Sequence, residues 1–138
     1  YQPLRKAVQE IRLPTIAASG DEANPIECAM ESVASTQAPR FLALSYLWGD
    51  ASTTHEIVLN GNKFPVATNL HLTLIALRRR PMVDHVWIDA LCIDQSSNDE
   101  KSSQVALMGN IYSRAAQVLS WLGPAADDSD AAFELVRR

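Results

Sequence analysis

Cysteine, long apolar runs and excess positive charge are all scarce in this chain of 138 residues. Its two cysteines, Cys28 and Cys92, lie in apolar runs, and neither belongs to a CxxC or cysteine–histidine pattern with zinc-ligand spacing. We therefore expect two buried free thiols in a reducing compartment and no metal site. No apolar run reaches the roughly 18 residues of a membrane helix, and no signal peptide is visible. The sequence thus predicts a cytoplasmic protein without a membrane partner.

The charge balance argues against a nucleic-acid partner. Lysine and arginine number 12 against 16 aspartates and glutamates, for a formal net charge of -4. Domains that bind nucleic acid usually carry a basic face and a high pI. The basic clusters here are small, and the larger one, Arg78–Arg80, lies where positive charge suits the end of a helix. We therefore expect no nucleic acid among the ligands.

Familiar catalytic motifs are absent as well. The chain contains no GxGxxG, no GxxxxGKS/T, no HExxH and no GxSxG pattern. The three histidines, His55, His71 and His85, are scattered, so we interpret each as a surface or satisfied histidine. Any chemistry must therefore rest on residues outside these motifs.

A single domain is the simplest organisation for a chain of this length. The sequence begins at Tyr1 without a methionine and ends at Arg138 inside a predicted helix. No internal repeat or low-complexity segment divides it. We therefore interpret residues 1–138 as one domain excised from a longer protein.

Apolar runs and turn signals predict alternating strands and helices. Asn60-Gly61 between two apolar runs is a strong hairpin signal, because both residues tolerate a positive φ. Ser97 and Glu100 fit a capping box at the start of a helix. The predicted elements are strands at Ile11–Ile16 and Ile26–Met30, a buried strand at Phe41–Trp48, a hairpin of Glu56–Leu59 and Lys63–Ala67, a helix from a cap at Thr68 or Asn69 to Arg80, a strand at His85–Ile93, a helix from Ser97, a strand at Val118–Leu122 and a last helix from about Asp128.

This order of elements, from Phe41 onward, is typical of βαβ units. It predicts an α/β fold with a mainly parallel central sheet flanked by helices and an inserted β-hairpin. Helical spacing predicts which apolar side chains face the core. They are Leu70, Leu74 and Leu77, widened by Leu72 and Ile75, in the first helix; Val105, Met108, Ile111, Tyr112 and Ala115 in the second; and Ala132, Leu135 and Val136 in the last.

Parallel sheets of this kind bind ligands beyond the carboxyl ends of their strands. Asp89 is the most conspicuous residue there, because a carboxylate within an apolar run is costly unless it is hydrogen-bonded or paired. Two interpretations stay open for it, namely local hydrogen bonding and contact with a ligand. For Ser45, Trp48 and Cys92, core packing is the simpler interpretation, and capping already explains Glu100. The side chains near these strand ends are Ser45, Trp48, Asp50, Asp89, Cys92 and Gln95.

Several blocks of the sequence together resemble one family. Residues 43–50, ALSYLWGD, resemble its first signature, ALSYxWGD. Residues 87–95, WIDALCIDQ, are similar to its second, WIDALCINQ, with Asp94 where asparagine is usual. Shorter blocks before, between and after these signatures extend the resemblance over nearly the whole chain. On these blocks, the chain is identified as a member of the fungal heterokaryon-incompatibility (HET) domain family.

This resemblance implies a signalling role. HET domains occur in fungal proteins that trigger programmed cell death when incompatible cells fuse, and as effector domains of NLR-like receptors in fungal innate immunity. The family is remotely similar to TIR domains, which have a flavodoxin-like parallel sheet. The resemblance therefore implies non-self recognition through homotypic self-association or through other signalling domains. Because some TIR domains hydrolyse NAD+ after assembly, the resemblance also implies an alternative, an NAD+ glycohydrolase with NAD+ as substrate and no certain cofactor.

Under the enzymatic alternative, the TIR comparison points to a catalytic carboxylate. In NAD-cleaving TIR domains a glutamate follows the third strand within a WCxxEL-like segment on the next helix. Here the segment 131–135, AAFEL, places Glu134 similarly, although the Trp-Cys pair is absent. Glu100 and Asp89 are the rival carboxylates, and Trp48 would stack on a base or nicotinamide ring. The residues expected to contact NAD+ are Ser45, Trp48, Asp50, Asp89, Cys92 and Gln95.

Overall fold

The computed structural model describes residues 3–18, 23–46, 52–79, 85–121 and 133–136. Within these ranges the chain forms eight strands and three α-helices, with single 3-10 turns at Lys6–Val8 and Ser35–Gln37. The elements are β1 (Glu10–Ile16), β2 (Glu27–Ala34), β3 (Phe41–Ser45), β4 (Thr54–Leu59), β5 (Asn62–Ala67), α1 (Thr68–Arg78), β6 (His85–Trp87), α2 (Asp89–Cys92), α3 (Asn98–Arg114), β7 (Gln117–Trp121) and β8 (Phe133–Val136).

The first sheet has the strand order β1-β2-β4-β5 and mixes strand directions. β1 and β2 are antiparallel, β2 and β4 pair in parallel, and β4 and β5 form an antiparallel hairpin. Asn60 and Gly61 in the hairpin turn have φ of 51° and 81°. This confirms the hairpin prediction and its reason, since both turn residues adopt left-handed backbone conformations.

The second sheet has the order β6-β3-β7-β8 and carries the strand ends where ligands were expected. β3 is parallel to both β6 and β7, which confirms the predicted parallel core. β8 is antiparallel to β7, and its four residues belong to the segment predicted as a last helix. That prediction was wrong. The helical spacing of Leu135 and Val136 rested on few residues, and pairing with β7 outweighs such weak local preferences.

The predicted strand at His85–Ile93 is also shorter than expected. β6 ends at Trp87, and the chain turns at Ile88 into the single helical turn of α2. The N–H groups of Leu91 and Cys92 donate to the Ile88 carbonyl at 3.0 and 2.8 Å. The apolar run is continuous because both elements are buried, and such a run does not distinguish a strand from a buried helical turn.

Helices α1 and α3 begin and end close to the predicted residues, but only one of the two predicted caps is present. α1 buries Leu70, Leu74 and Leu77 as predicted, but it starts from Ala67, and no side chain caps it. The predicted cap, by Thr68 or Asn69, was therefore wrong. In α3, Ser97 caps the helix as predicted, whereas Val105 is exposed rather than part of the buried stripe.

The second sheet is buried on both faces. One face meets α1 and the hairpin through a cluster that includes Leu42, Leu44 and Leu74. The other face meets β1 and α3 through a cluster that includes Phe41 and Ile111. Burial on both sides explains why β3 reads as an almost continuous apolar run. Both cysteines are buried free thiols, as predicted.

The helices of the described residues are all too short or too polar to cross a membrane. The predicted strand Phe41–Trp48 ends at Ser45, and residues 47–50 lie outside the described ranges.

Removing a fully buried contact between α1 and the second sheet tests this packing. Leu74→Ala deletes a side chain with no solvent exposure. We expect it to lower the free energy of unfolding by about 2–5 kcal/mol, since lost burial and the remaining cavity both count. Leu72→Ala, on the half-buried side of the same helix, is the matched control. Urea unfolding that gives both variants the same stability would contradict the assigned face of α1.

Candidate functional site

Polar residues from three elements lie near the carboxyl end of the parallel strands. Ser45 is the last residue of β3 and Tyr46 follows it, Asp89 begins α2 shortly after β6, and the Tyr112 hydroxyl reaches this end from α3. The Tyr112 hydroxyl donates to the Leu44 carbonyl at 3.5 Å, and the Tyr112 ring packs edge-on against the ring of Trp87, with centroids 5.8 Å apart. We call Ser45, Tyr46, Asp89 and Tyr112 the carboxyl-edge cluster. It lies where sequence reasoning expected a ligand.

The electrostatics of this cluster favour hydrogen-bond donation by its phenols. Burial raises the pKa of Tyr46 well above its usual range, and the negative charge of Asp89 raises it further. Burial also raises the pKa of Tyr112, and the charge of Asp89 adds a smaller increase. Both hydroxyls therefore stay protonated at neutral pH, beside an acidic side chain.

Asp89 has a local structural role in addition to its place in the cluster. Its Oδ1 accepts a hydrogen bond from the Ala90 N–H at 2.8 Å, at the first turn of α2. Its backbone carbonyl accepts from Gln95 Nε2 at 3.2 Å and from the Ile93 N–H at 3.2 Å. The interpretation of Asp89 as a locally hydrogen-bonded residue is thus confirmed for one carboxylate oxygen. Gln95, predicted to contact NAD+, fastens the loop after α2.

Glu100 forms a buried ion pair that the sequence analysis did not predict. Arg12 of β1 donates from Nη1 and Nη2 to the two Glu100 carboxylate oxygens, each at 2.7 Å. Arg12 also donates to the Cys92 carbonyl at 2.9 Å, and the Asp94 N–H donates to Glu100. The Arg12 side chain is 3% exposed and that of Glu100 12%. The signal in the sequence was an arginine between Ile11 and Leu13, inside a predicted strand.

Because of this ion pair, only half of the predicted capping box forms. Ser97 accepts from the Glu100 N–H at 3.3 Å, as such a box requires. The Glu100 side chain, however, reaches Arg12 and Asp94 rather than the Ser97 N–H. Burial alone would raise the pKa of Glu100, but the hydrogen bonds from Arg12 and Asp94 and the charge of Arg12 outweigh burial, so the pKa falls below its usual value. Glu100 is therefore a permanently ionised structural carboxylate at neutral pH.

The remaining predicted residues are placed as follows. Cys92 is fully buried, its Sγ accepts from the Ile88 N–H at 3.3 Å, and burial raises the pKa of its thiol. It is therefore a core residue and does not face the carboxyl-edge cluster as a nucleophile.

Glu134 lies on β8, and its backbone pairs with Ser120, which in turn pairs with Ser45. Trp48 and Asp50 lie outside the described residues.

Acidic and histidine side chains do not gather into a metal centre in the part of the chain that the structure describes. His55 and His71 stack with ring centroids 4.5 Å apart, and His55 Nε2 lies 3.1 Å from the Thr68 hydroxyl. These histidines are satisfied by local contacts, as the sequence analysis interpreted them.

Comparison with known proteins identifies the family. Residues 41–138 match the family model described as "Heterokaryon incompatibility protein (HET)". The chain is 39% identical over 133 residues to heterokaryon incompatibility protein 6, OR allele, of Neurospora crassa, an alignment that covers 87% of this chain. The chain belongs to the heterokaryon incompatibility (HET) family. It spans about a fifth (20%) of the length of that relative. No solved structure matches it significantly.

The family match and the structural unit have different boundaries. The match begins at Phe41, but Arg12, which neutralises Glu100, precedes it on β1. The similarity to the Neurospora relative covers more of the chain than residues 41–138 contain, so it extends into the residues before Phe41. β1 and β2 therefore belong to the folded domain although the family match starts after them.

Glu100 makes stability depend on pH in a defined direction. Its folded pKa is lowered, so its contribution is complete above the unfolded value of about 4.3 and is lost as the pH falls through the folded value. We expect Glu100→Gln to lower the free energy of unfolding by about 3–5 kcal/mol at pH 7, because the buried Arg12 charge loses its carboxylate. The loss should be smaller below about pH 4. Urea unfolding from pH 7 to pH 3 measures this gap, with the exposed Glu56→Gln as control. A gap that is constant across that range would contradict the ion pair.

The boundary argument predicts the behaviour of two fragments. A chain of residues 41–138 lacks Arg12 and the β1 side of the core, so we expect no cooperative thermal unfolding by circular dichroism. A chain that starts at Arg5 keeps β1, β2 and the Arg5–Glu10 ion pair, and we expect it to unfold cooperatively. If the shorter fragment folded with the stability of the longer one, β1 and β2 would not be part of the domain.

Proposed function

We propose that this domain is a cell-death effector and signalling domain of fungal heterokaryon incompatibility, and that it acts in non-self recognition by self-assembly or by binding a partner. The observation that carries the proposal is the 39% identity to a protein named for heterokaryon incompatibility, over most of this chain. A domain that makes up about a fifth of such a protein suits a modular role, in which other parts of the polypeptide detect the trigger.

The geometry around Glu100 supports a structural role over a catalytic one for that carboxylate. Both of its oxygens accept hydrogen bonds from Arg12, and one also accepts from the Asp94 N–H. Using Glu100 as a base or to hold a substrate would take its carboxylate away from the buried Arg12 charge, which is strongly destabilising. One of the three candidate carboxylates is thereby assigned to the scaffold.

The carboxyl-edge cluster favours the second candidate, a TIR-like NAD+ glycohydrolase. Asp89 lies there with Tyr46 and Tyr112, whose protonated hydroxyls are donors, and Ser45 is exposed beside them. A carboxylate in such a site would orient the ribose hydroxyls and stabilise an oxocarbenium-like transition state, as carboxylates do in glycosidic cleavage. The nicotinamide would leave and water would supply the hydroxyl that replaces it.

A paired assay of toxicity and NAD+ distinguishes the two functions. The domain, fused to a tag that forces oligomerisation, is expressed in a fungal host, and cell viability and NAD+ content are measured together. Asp89→Asn and Glu134→Gln remove the remaining carboxylate charges with little change of shape, and Glu56→Gln is an exposed control. Circular dichroism and size-exclusion chromatography check the folding and assembly of each variant.

We expect the wild type and all three variants to kill cells without consuming NAD+. Loss of killing in a folded, assembled Asp89→Asn or Glu134→Gln variant would overturn the non-enzymatic mechanism. NAD+ cleavage that vanishes in one of these variants would establish the second function and name its carboxylate. Failure of the assembled domain to kill any cells would contradict the effector role itself.

A further inference from the structure

The structure contains a concave surface that the carboxyl-edge cluster does not line. It is a cleft of about 390 Å³ between the segment before β1 and the first half of α3. Pro3, Leu4, Ala106 and Leu107 give it an apolar wall, and charged and amide side chains line the rest. None of these residues belongs to the carboxyl-edge cluster, so the inference that follows does not rest on the proposed function.

The cationic donors of this cleft are already engaged. Lys6 Nζ lies 2.6 Å from Asp99 Oδ2, and Arg5 donates to the Glu10 carboxylate at 3.0 and 3.1 Å. A ligand that enters the cleft would have to compete with these ion pairs to reach a cation. An anionic ligand is therefore poorly matched to this surface.

Two hydrogen-bond acceptors of the cleft, in contrast, lack a donor among the described residues. Gln104 is 2% exposed, and its Nε2 donates to the Glu10 carbonyl at 3.1 Å. Its Oε1 is buried and has no hydrogen-bond partner in the part of the chain that the structure describes. A buried acceptor without a donor is costly, and a ligand that supplies the donor recovers that cost.

Asp94 is the second such acceptor, because one of its two carboxylate oxygens can still accept a hydrogen bond. Its Oδ1 accepts from the Ser96 N–H at 3.1 Å and from the Ser96 hydroxyl at 2.6 Å, while no hydrogen bond from a described residue reaches its Oδ2. These hydrogen bonds hold the pKa of Asp94 below its usual value. Four carboxylates line the cleft, and two lining cations plus Arg12 behind Glu100 neutralise three of them. Among the described residues the cleft therefore carries a net charge of -1, and Asp94, which Arg12 also attracts, is the carboxylate that these three ion pairs do not include.

We propose that this cleft binds an aliphatic cation, with the alkyl stem against Leu4 and Leu107 and an ammonium or guanidinium group donating to Asp94 and Gln104. Only a group with several donors satisfies both acceptors, and ammonium and guanidinium groups carry three and five. Lys6 and Asp99 flank the cleft with side chains that are 58% and 79% exposed.

Two sources supply this chemistry, namely a lysine or arginine side chain of a protein segment and a free di- or polyamine. The whole 138-residue chain, labelled with 15N, is titrated with N-acetyl-lysine methylamide, with N-acetyl-arginine methylamide and with putrescine, and the shifts of the Gln104 side-chain amide are followed. Nε-acetylated N-acetyl-lysine methylamide, which keeps the stem and loses the charge, is the matched ligand control.

Asp94→Asn is the decisive variant, because an asparagine Oδ1 still accepts from Ser96 and preserves the turn. Glu56→Gln on β4 removes an exposed charge outside the cleft and serves as the control protein. We expect saturable shifts at millimolar ligand, weakened at least three-fold in Asp94→Asn and unchanged in Glu56→Gln. Tighter binding of the amino-acid derivatives would name a protein segment as the source, and tighter binding of putrescine a free amine.

Three results would overturn the proposal. The first is the absence of saturable shifts at Gln104 up to about 20 mM of every cation. The second is equal binding of the acetylated control, which would show that only the apolar stem is recognised. The third is equal affinity of the wild type and a folded Asp94→Asn variant, which would place the cation elsewhere.

Discussion

The buried ion pair between Arg12 and Glu100 is the constraint on which the arrangement of this domain depends. It joins β1 of the first sheet to the start of α3, and through the Cys92 carbonyl and the Asp94 N–H it also fixes the loop between α2 and α3. A charge at 3% exposure has to be paired, so β1, α3 and this loop can be buried together only in this register. The pair therefore sets the position of the loop that lies next to both candidate sites.

The loop between α2 and α3 connects the Arg12–Glu100 ion pair to the carboxyl-edge cluster and to the cleft. Toward the sheet, Gln95 and the first turn of α2 hold Asp89 beside the carboxyl end of β3. Toward α3, Asp94 faces a cleft that also contains Gln104. The second family signature, residues 87–95, thus forms a strand end, one helical turn and a fastening loop. Its polar residues are explained first by this local architecture, and a ligand would use an arrangement that is already in place.

The sequence predicted the fold where local signals and burial agree. The Asn60-Gly61 turn, the parallel β3 core and the Ser97 cap follow from backbone preference, two-sided burial and capping chemistry. It failed where apolar periodicity is ambiguous, so α2 was read as part of a strand and β8 as a helix. The partner of Glu100 could not be predicted, because Arg12 lies 88 residues away in sequence. Only tertiary structure brings such residues together, and a charged residue within an apolar strand was the sole indication.

A double-mutant cycle on the ion pair tests this account most directly. The free energy of unfolding is measured for the wild type, Arg12→Met, Glu100→Gln and the double variant at pH 7. Each single change removes the opposite charge from a buried charged side chain and is expected to cost about 3–5 kcal/mol. The double variant leaves no unpaired charge, so its cost should fall well short of the sum of the two, with a coupling of about 1–3 kcal/mol. Strictly additive costs would contradict the claim that this pair holds β1, the loop and α3 in register.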